Sequence, residues 1–190
     1  ARTHRGCAGV GVGQTSTGAG AGSAVGALVE AMNGGTPRQH VTVQGEIAWL
    51  DADTGYIHET RGQLAYLKAS SKRAYRIRNA NQAMAILHKA IQEAQTPPCG
   101  PVSVEIPIDI QGAKIPLSLV TAPTKPASAA SVDAAVVDNL RTQLKQAKQP
   151  LLRLGGGALG SVDAAHNLAE RGITVTSRSS ARCVPPAGML

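Results

Sequence analysis

A glycine-rich segment near the start of the chain has the composition of a ligand-binding turn. Gly18, Gly20 and Gly22 alternate with alanines and lead directly into a segment with helical spacing of apolar residues. Backbone amides at the start of a helix can bind an anion, but no lysine stands where a P-loop requires one. Two explanations remain from these residues alone. The turn binds an anion, or its glycines let backbone approach a neighbour or a flat ring closely.

A second glycine-rich turn, GGGALG, satisfies the G-x-G-x-x-G pattern through Gly155, Gly157 and Gly160. It lies between a predicted strand and a predicted helix, which is the context of a pyrophosphate site. The acidic residue expected about 20 positions later for a ribose is absent, and Arg178 and Arg182 lie in that region instead. A nucleotide-binding module for FAD or NADP is therefore one hypothesis. A strand-to-helix turn that simply needs glycine is the interpretation that we favour.

Few other residues have a spacing that predicts catalysis. His58 and Glu59 could form an acid–base pair, but neighbouring residues on a helix do not face each other. Glu46, Asp51 and Asp53 form an acidic group in a predicted loop, which solvation explains. No catalytic residue and no metal site are predicted from these patterns.

The three cysteines also argue against a metal site or a disulfide framework. Cys7, Cys99 and Cys183 are odd in number and far apart in the chain. The N-terminus lacks the charged and then apolar layout of a secretion signal. We therefore expect a cytoplasmic setting.

The composition limits the core and the partners. Aromatic residues make up only 2% of the chain and phenylalanine is absent, so the core must consist of Ala, Val, Leu and Ile. The net charge is +7, but basic residues cluster only at Lys72, Arg73, Arg76 and Arg78, which we interpret as a solvated face. With so few aromatic residues for base stacking, we expect no nucleic-acid partner. No apolar run is long enough for a membrane helix.

Alternating strand and helix patterns predict an α/β fold with a parallel sheet flanked by helices. Ser23 is expected to cap a helix whose apolar face carries Val25, Leu28, Val29 and Met32. A short helix is expected near residues 63–69. The predicted strands cover residues 9–15, 39–45, 74–79 and 101–110, and Tyr75 and Ile77 are expected to alternate with Arg76 and Arg78 on a wet side.

The composition changes near residue 112, where prolines, serines and threonines become frequent. Residues 112–130 are therefore predicted to be a linker. The strand and helix pattern then restarts with a helix capped by Ser131. Residues 131–190 are predicted to begin a second, Rossmann-like domain, after a first domain at residues 1–111.

The order of the segments resembles one enzyme family. The succession GVGVGQTSTGAGAGSAVGALVEA, VTVQG, GYIHE, LKASSKRAYRIRN and GPVSVEIPIDIQ is similar to the pyrimidine-binding domain of thiamine-diphosphate enzymes such as acetolactate synthase and benzoylformate decarboxylase. Residues 150–185 resemble the start of that family's central domain. The resemblance implies an incomplete thiamine-diphosphate-binding fold. It also implies that the parent enzyme makes or breaks carbon–carbon bonds next to a carbonyl.

The resemblance also implies cofactors, a substrate class and partners. These are thiamine diphosphate with Mg²⁺, a small 2-oxo acid, and a homo-oligomer, either a dimer or a tetramer, with FAD as a further candidate cofactor. The family's activating glutamate would lie before Ala1, and its GDG motif occurs nowhere in the chain. We therefore expect an inactive fragment of an enzyme. A structural remnant is the remaining alternative.

The resemblance assigns the glycine turn to the loop that approaches the cofactor's pyrimidine ring. The cofactor-binding residues that it implies here are Gly18, Ala19, Gly20, Ser23 and Gln44. Ala19 stands where many relatives have proline, and Ser23 stands where many have asparagine. Gln44 corresponds to the glutamine of the family's TGQ strand end, although the sequence here is VTVQG.

Overall fold

The computed structural model describes residues 9–123 and 132–177. The chain forms two compact units, Ala1–Pro126 and Ala127–Leu190, which are described separately. The domain borders predicted from composition remain predictions. Several residues named above lie outside the described residues, among them Cys7, Ser131, Arg178, Arg182 and Cys183.

The first unit contains a four-stranded sheet in which every neighbouring pair is parallel. Its strands are β1 (Gly11–Thr15), β2 (Arg38–Gln44), β3 (Arg73–Arg76) and β4 (Pro101–Pro107). The strand order is β1-β2-β4-β3. The predicted α/β class with a parallel sheet and flanking helices is confirmed.

Helices connect these strands, as parallel pairing requires. They are α1 (Ala19–Ser23), α2 (Val25–Asn33), α3 (Gln63–Ser70) and α4 (Ala83–Gln95), and a short helix, α5 (Ile108–Gln111), follows the last strand. Short 3-10 turns cover Ile47–Trp49, Ala80–Gln82 and Leu117–Leu119. Within the described parts of the chain, no helix is both long enough and apolar enough to cross a membrane.

Three local predictions were wrong. Ser23 does not cap a helix, because it is the last residue of α1 and its hydroxyl donates to the Ala19 carbonyl at 2.8 Å. The apolar face of α2 is narrower than predicted, since Leu28 is buried while Val29 and Met32 are exposed. The strand predicted at residues 101–110 ends at Pro107, and the chain continues directly into α5.

One face of the sheet packs against α4 and is largely apolar, although Gln39 on this face donates to the Leu87 carbonyl of α4. Val102 and Val104 of β4 are fully buried together with Ala90 and Ala94 of α4. Ile77, just after β3, completes this cluster. Small alanines on the helix let it lie close to the strands, so a core without phenylalanine can still be filled.

The opposite face of the sheet is polar although it is buried. His40 of β2 is paired in register with Ser103 of β4, and both are buried. The His40 ring lies 3.0 Å from the Thr15 hydroxyl through Nε2 and 3.2 Å from the Ser103 hydroxyl through Nδ1. Ser103 Oγ lies 2.7 Å from Ser71 Oγ. In this group the His40 ring and the Ser71 and Ser103 hydroxyls each have a hydrogen-bond partner, as a low-dielectric interior requires.

The second unit contains one strand–helix–strand motif, as predicted. Strands β5 (Leu151–Leu154) and β6 (Thr174–Ser177) are parallel, and α7 (Val162–Glu170) connects them. Leu154, Ala165 and Val175 form its buried cluster. A further helix, α6 (Ala134–Gln146), precedes the motif and is capped by Asp133, whose side chain accepts from the Ala135 amide at 2.9 Å.

The buried imidazole of His40 predicts a dependence of stability on pH. Desolvation lowers the pKa of His40 below its ordinary value of 6.5. Below pH 6.5 this histidine is protonated in the unfolded chain but stays neutral in the folded chain until the pH reaches its lowered pKa. The free energy of unfolding therefore falls as the pH drops through 6.5. The added slope is at most about 1.4 kcal/mol per pH unit.

Chemical denaturation at pH 7.5 and pH 5.5 measures this effect. We expect the wild-type protein to lose more stability than a His40→Asn variant over this interval, since the other histidines are common to both proteins. Equal losses in the two proteins would contradict the assignment to His40.

Candidate functional site at the carboxyl edge of the sheet

All four strands of the first unit point the same way, so their carboxyl ends meet at one edge. Parallel α/β sheets bind ligands outside this edge. The glycine turn follows β1 there, and a long segment, residues 45–62, follows β2. We call residues 45–62 the edge segment.

The glycine turn comes very close to the edge segment. Gly18 has φ 58° and ψ −109°, a conformation that side chains rarely adopt. A Cβ added there would lie 2.0 Å from the His58 carbonyl oxygen and 2.9 Å from the Thr60 hydroxyl. A Cβ at Gly20 would lie 2.2 Å from the Ser16 hydroxyl. The close approach that these glycines permit in this structure is therefore to the protein's own chain.

A buried glutamine of α3 fixes the turn. Gln63 is fully buried, and its Oε1 accepts from the Gly18 amide at 2.7 Å. Its Nε2 donates to the Val43 carbonyl at 3.1 Å, so one side chain joins the ends of β1 and β2. The Tyr66 hydroxyl adds a contact to the Gly18 carbonyl at 3.3 Å.

Gln44 belongs to the same network. Its Oε1 accepts from the Thr17 hydroxyl at 3.0 Å and from the Gly45 amide at 2.9 Å. Thr17 also lies 3.3 Å from Gln63 Oε1. The carboxamide oxygen of Gln44 is therefore engaged within the protein in this conformation.

The structure brings together most of the predicted cofactor-binding residues. Gly18, Ala19 and Gly20 share one turn, and Thr17 joins that turn to Gln44. Gly18 and Gln44 are buried, whereas Ala19 is exposed. Ser23 is exposed at the far end of α1, where its hydroxyl bonds to its own helix. Its predicted contact with a cofactor remains a prediction.

An ion triad lies beside this network. The Arg76 side chain is 4% exposed, and its Nε donates to Oε2 of the fully buried Glu105 at 2.6 Å. Its Nη1 donates to Asp51 of the edge segment at 2.5 Å. Burial lowers the pKa of Arg76, but its hydrogen bonds to Asp51 and Glu105 outweigh this and raise it overall. Burial and the charge of Glu105 raise the pKa of Tyr66.

This triad and two further polar contacts correct three sequence-based interpretations. Arg76 does not lie on a wet face, because it bonds to Glu105 across the sheet. The basic cluster is not uniformly solvated, since the Lys72 ammonium also caps the end of α4 by donating to the Glu93 and Thr96 carbonyls, both at 2.7 Å. Solvation does not fully explain the acidic group either. Asp51 pairs with Arg76, and Asp53 pairs with Arg61 at 2.9 Å.

His58 and Glu59 shape the edge segment. Glu59 Oε2 accepts from the Gly55 amide at 2.6 Å and from the Tyr56 amide at 3.0 Å, which closes a turn. His58 is exposed and has φ 59°. The geometry gives Glu59 a structural role in this turn.

The edge segment also borders a small recess of about 350 Å³, a volume that includes space open to solvent. Gln44, Trp49, Asp51, Tyr56 and Arg61 are among its lining residues. Over residues 9–123 and 132–177, no group of three or more His, Cys, Asp or Glu side chains could hold a metal ion.

The second glycine-rich turn forms a 3-10 turn over Gly156–Gly160 before α7. A Cβ added at Gly155, Gly157 or Gly160 would meet no atom within 4 Å. Packing within the described chain therefore does not require glycine at these three positions.

Sequence reasoning missed Gln63, Arg76 and Glu105. One signal was present for Glu105. Thr42 and Gln44 alternate with valines along β2, and Ser103 and Glu105 do the same along β4. Both faces of a parallel sheet are normally buried under helices. Polar residues at alternate positions of two adjacent central strands therefore predict a buried face that is polar.

Comparison with known proteins gives a partial match to a curated enzyme subunit. No protein-family model matches the chain. Over 101 residues, the chain is 28% identical to the acetolactate synthase isozyme 1 large subunit of Escherichia coli strain K12. The match covers 53% of this chain and 18% of that subunit. The similarity agrees at the level of the family with the resemblance in the sequence.

The close contact at Gly18 predicts a large difference between two glycine substitutions. Gly18→Ala should destabilise the fold by about 2–5 kcal/mol, because the new methyl group meets the His58 carbonyl and the backbone conformation is strained. The control is Gly22→Ala in α1, where a Cβ meets nothing within 4 Å. That change should alter stability by less than about 1 kcal/mol. Urea denaturation measures both, and similar losses would contradict the packing of the turn.

The buried ion pair predicts non-additive effects. Glu105→Leu leaves the Arg76 guanidinium buried with one fewer anion, so we expect a loss of about 3–5 kcal/mol in the free energy of unfolding. The double variant Arg76→Met, Glu105→Leu should recover much of that loss, since no unpaired charge remains. Additive losses in a double-mutant cycle would show that the two side chains do not interact.

Proposed function

We propose that this chain contributes the pyrimidine-side part of a thiamine-diphosphate enzyme that makes or breaks carbon–carbon bonds next to a carbonyl. The observation that carries the proposal is the meeting of the Gly18 turn and Gln44 at the carboxyl edge of an all-parallel sheet. The partial similarity to an acetolactate synthase large subunit supports the same family. A pyruvate-like 2-oxo acid is the proposed substrate class.

Other properties follow from the proposal rather than from this chain alone. We propose that the working enzyme is a dimer or tetramer in the cytoplasm, with thiamine diphosphate and Mg²⁺ as cofactors. When bound, thiamine diphosphate supplies the carbanion chemistry. The comparisons give no support for FAD, which serves below as a control ligand.

The described residues do not fit a ring directly against Gly18 in this conformation. The His58 carbonyl fills the space into which a Cβ of residue 18 would project, so no group can approach Gly18 from that side. No catalytic residue is assigned within the chain. Its proposed contribution is a shaped backbone surface, formed by the glycine turn and held in place by Gln63 and Thr17.

Nuclear magnetic resonance titration of the labelled chain tests this proposal. Thiamine diphosphate with Mg²⁺ should shift the amide signals of Thr17–Gly20 and of Gln44, with a dissociation constant of roughly 1 mM or weaker. Binding is expected to be weak because the chain has no GDG motif to hold the diphosphate. FAD and NADP, added separately, should leave these signals unchanged.

Two outcomes would contradict the proposal. The first is a response to FAD or NADP confined to Gly155–Ser161, with none to thiamine diphosphate, which would favour the nucleotide-binding alternative. The second is micromolar binding of thiamine diphosphate measured by calorimetry, because it would reveal a diphosphate site that the proposal does not place in this chain.

A further inference from the structure

The edge segment is long and has little regular structure. Eighteen residues separate the end of β2 from the start of α3, and only Ile47–Trp49 form a 3-10 turn. Irregular segments of this length in compact domains are commonly lids or binding loops. Most residues between 46 and 58 are exposed. Few buried contacts therefore hold the segment in place.

The backbone of the edge segment is strained at three residues. Asp51, Asp53 and His58 all have left-handed backbone conformations, with φ of 58°, 53° and 59°. Each such residue is strained and persists only where surrounding contacts impose it. Contacts with the rest of the first unit must supply that restraint.

A charged contact, the bond between Asp51 and Arg76, supplies part of this restraint. Arg76 is held from behind by Glu105, so the guanidinium presents a fixed, charged donor to the segment. Both of its terminal nitrogens face the Asp51 carboxylate, Nη1 at 2.5 Å and Nη2 at 3.4 Å. The Asp51 side chain is 53% exposed, so it can return to water when the contact breaks. Glu105 therefore fixes the Arg76 side of this bond, whereas the Asp51 side can be released to solvent.

The edge segment covers Gly18 of the glycine turn. The His58 carbonyl lies so close to Gly18 that no side-chain atom fits between them. Each end of the segment has a pivot: the Ile47 amide donates to Asp109 at 3.3 Å, and Gly62 has φ 67° at the start of α3. Movement between these pivots would lift His58 away from Gly18.

We propose that the edge segment is a lid, closed in this structure, and that the Asp51–Arg76 bond is its latch. Opening the latch exposes the glycine turn to a flat ligand, while the Arg76–Glu105 pair stays in the sheet. The lid movement does not depend on the proposed function. Only the identity of the ligand that requires the opening rests on the proposed function.

Two matched aspartate variants test the latch. Asp51→Asn removes the charge that pairs with the buried Arg76, and Asp53→Asn removes the charge that pairs with Arg61, whose side chain is 84% exposed. Both positions have positive φ, which asparagine tolerates better than most residues. The two changes therefore differ mainly in the bond that they weaken.

Hydrogen exchange and tryptophan fluorescence provide the readouts. In Asp51→Asn, amide exchange across residues 46–60 should rise by roughly tenfold, because a hydrogen bond between charged groups is lost. Acrylamide should also quench Trp49, the single tryptophan of the chain, more efficiently. Asp53→Asn should stay within about twofold of the wild-type protein in both measurements. Unchanged exchange in β2 and β4 would show that the sheet of each variant is intact.

The outcomes distinguish a failure of the proposed latch from a failure of the proposed ligand. No increase in Asp51→Asn, or equal increases in both variants, would overturn the latch. If Asp51→Asn opens the segment and also strengthens the response of Gly18 and Gly20 to thiamine diphosphate, the lid controls access to the turn. If the segment opens and no response to that ligand appears at the turn, the proposed function fails while the lid stands.

Discussion

The buried pair between Arg76 and Glu105 organises the carboxyl edge of the sheet. A charged side chain is costly to bury unless a partner and hydrogen bonds compensate for lost hydration. Here the sheet register places Arg76 opposite Glu105, and the remaining donors of the guanidinium point to Asp51. One constraint inside the sheet therefore restrains the edge segment, and the edge segment in turn packs against Gly18 of the glycine turn.

The two faces of the sheet have different physical roles. The face against α4 is built from valines and alanines and contributes apolar burial. The other face carries His40, Ser103 and Glu105, which depend on specific partners. Hydrogen bonding is directional, whereas apolar packing is not. Two further residues of the polar face, Thr42 and Gln44, bond to Ser16 and Thr17, so this face can fix the start of the glycine turn more narrowly than hydrophobic packing would.

The fold was predictable because its signals are local. Alternating valines in β2 and β4, and the glycines that end β1 and α2, predict strands, turns and a helix-covered parallel sheet from short segments. The site was only partly predictable. Gly18 was singled out because glycine suggests close approach, but the group that approaches it, the His58 carbonyl, lies 40 residues away. Arg76 seemed to be a surface residue because its partners are 25 and 29 residues away in sequence. Spacing along the chain carries no signal for such contacts.

The most direct test of this account is the distance between the glycine turn and the edge segment in solution. Nuclear Overhauser spectra of the free protein should show contacts between the Gly18 α-protons and the side-chain protons of Thr60, whose hydroxyl lies 2.9 Å from the position of a Cβ at Gly18. Those contacts should be present without any ligand. Their absence, with Gly18 resonances typical of an unstructured chain, would show that the edge segment does not cover the turn and would contradict the account.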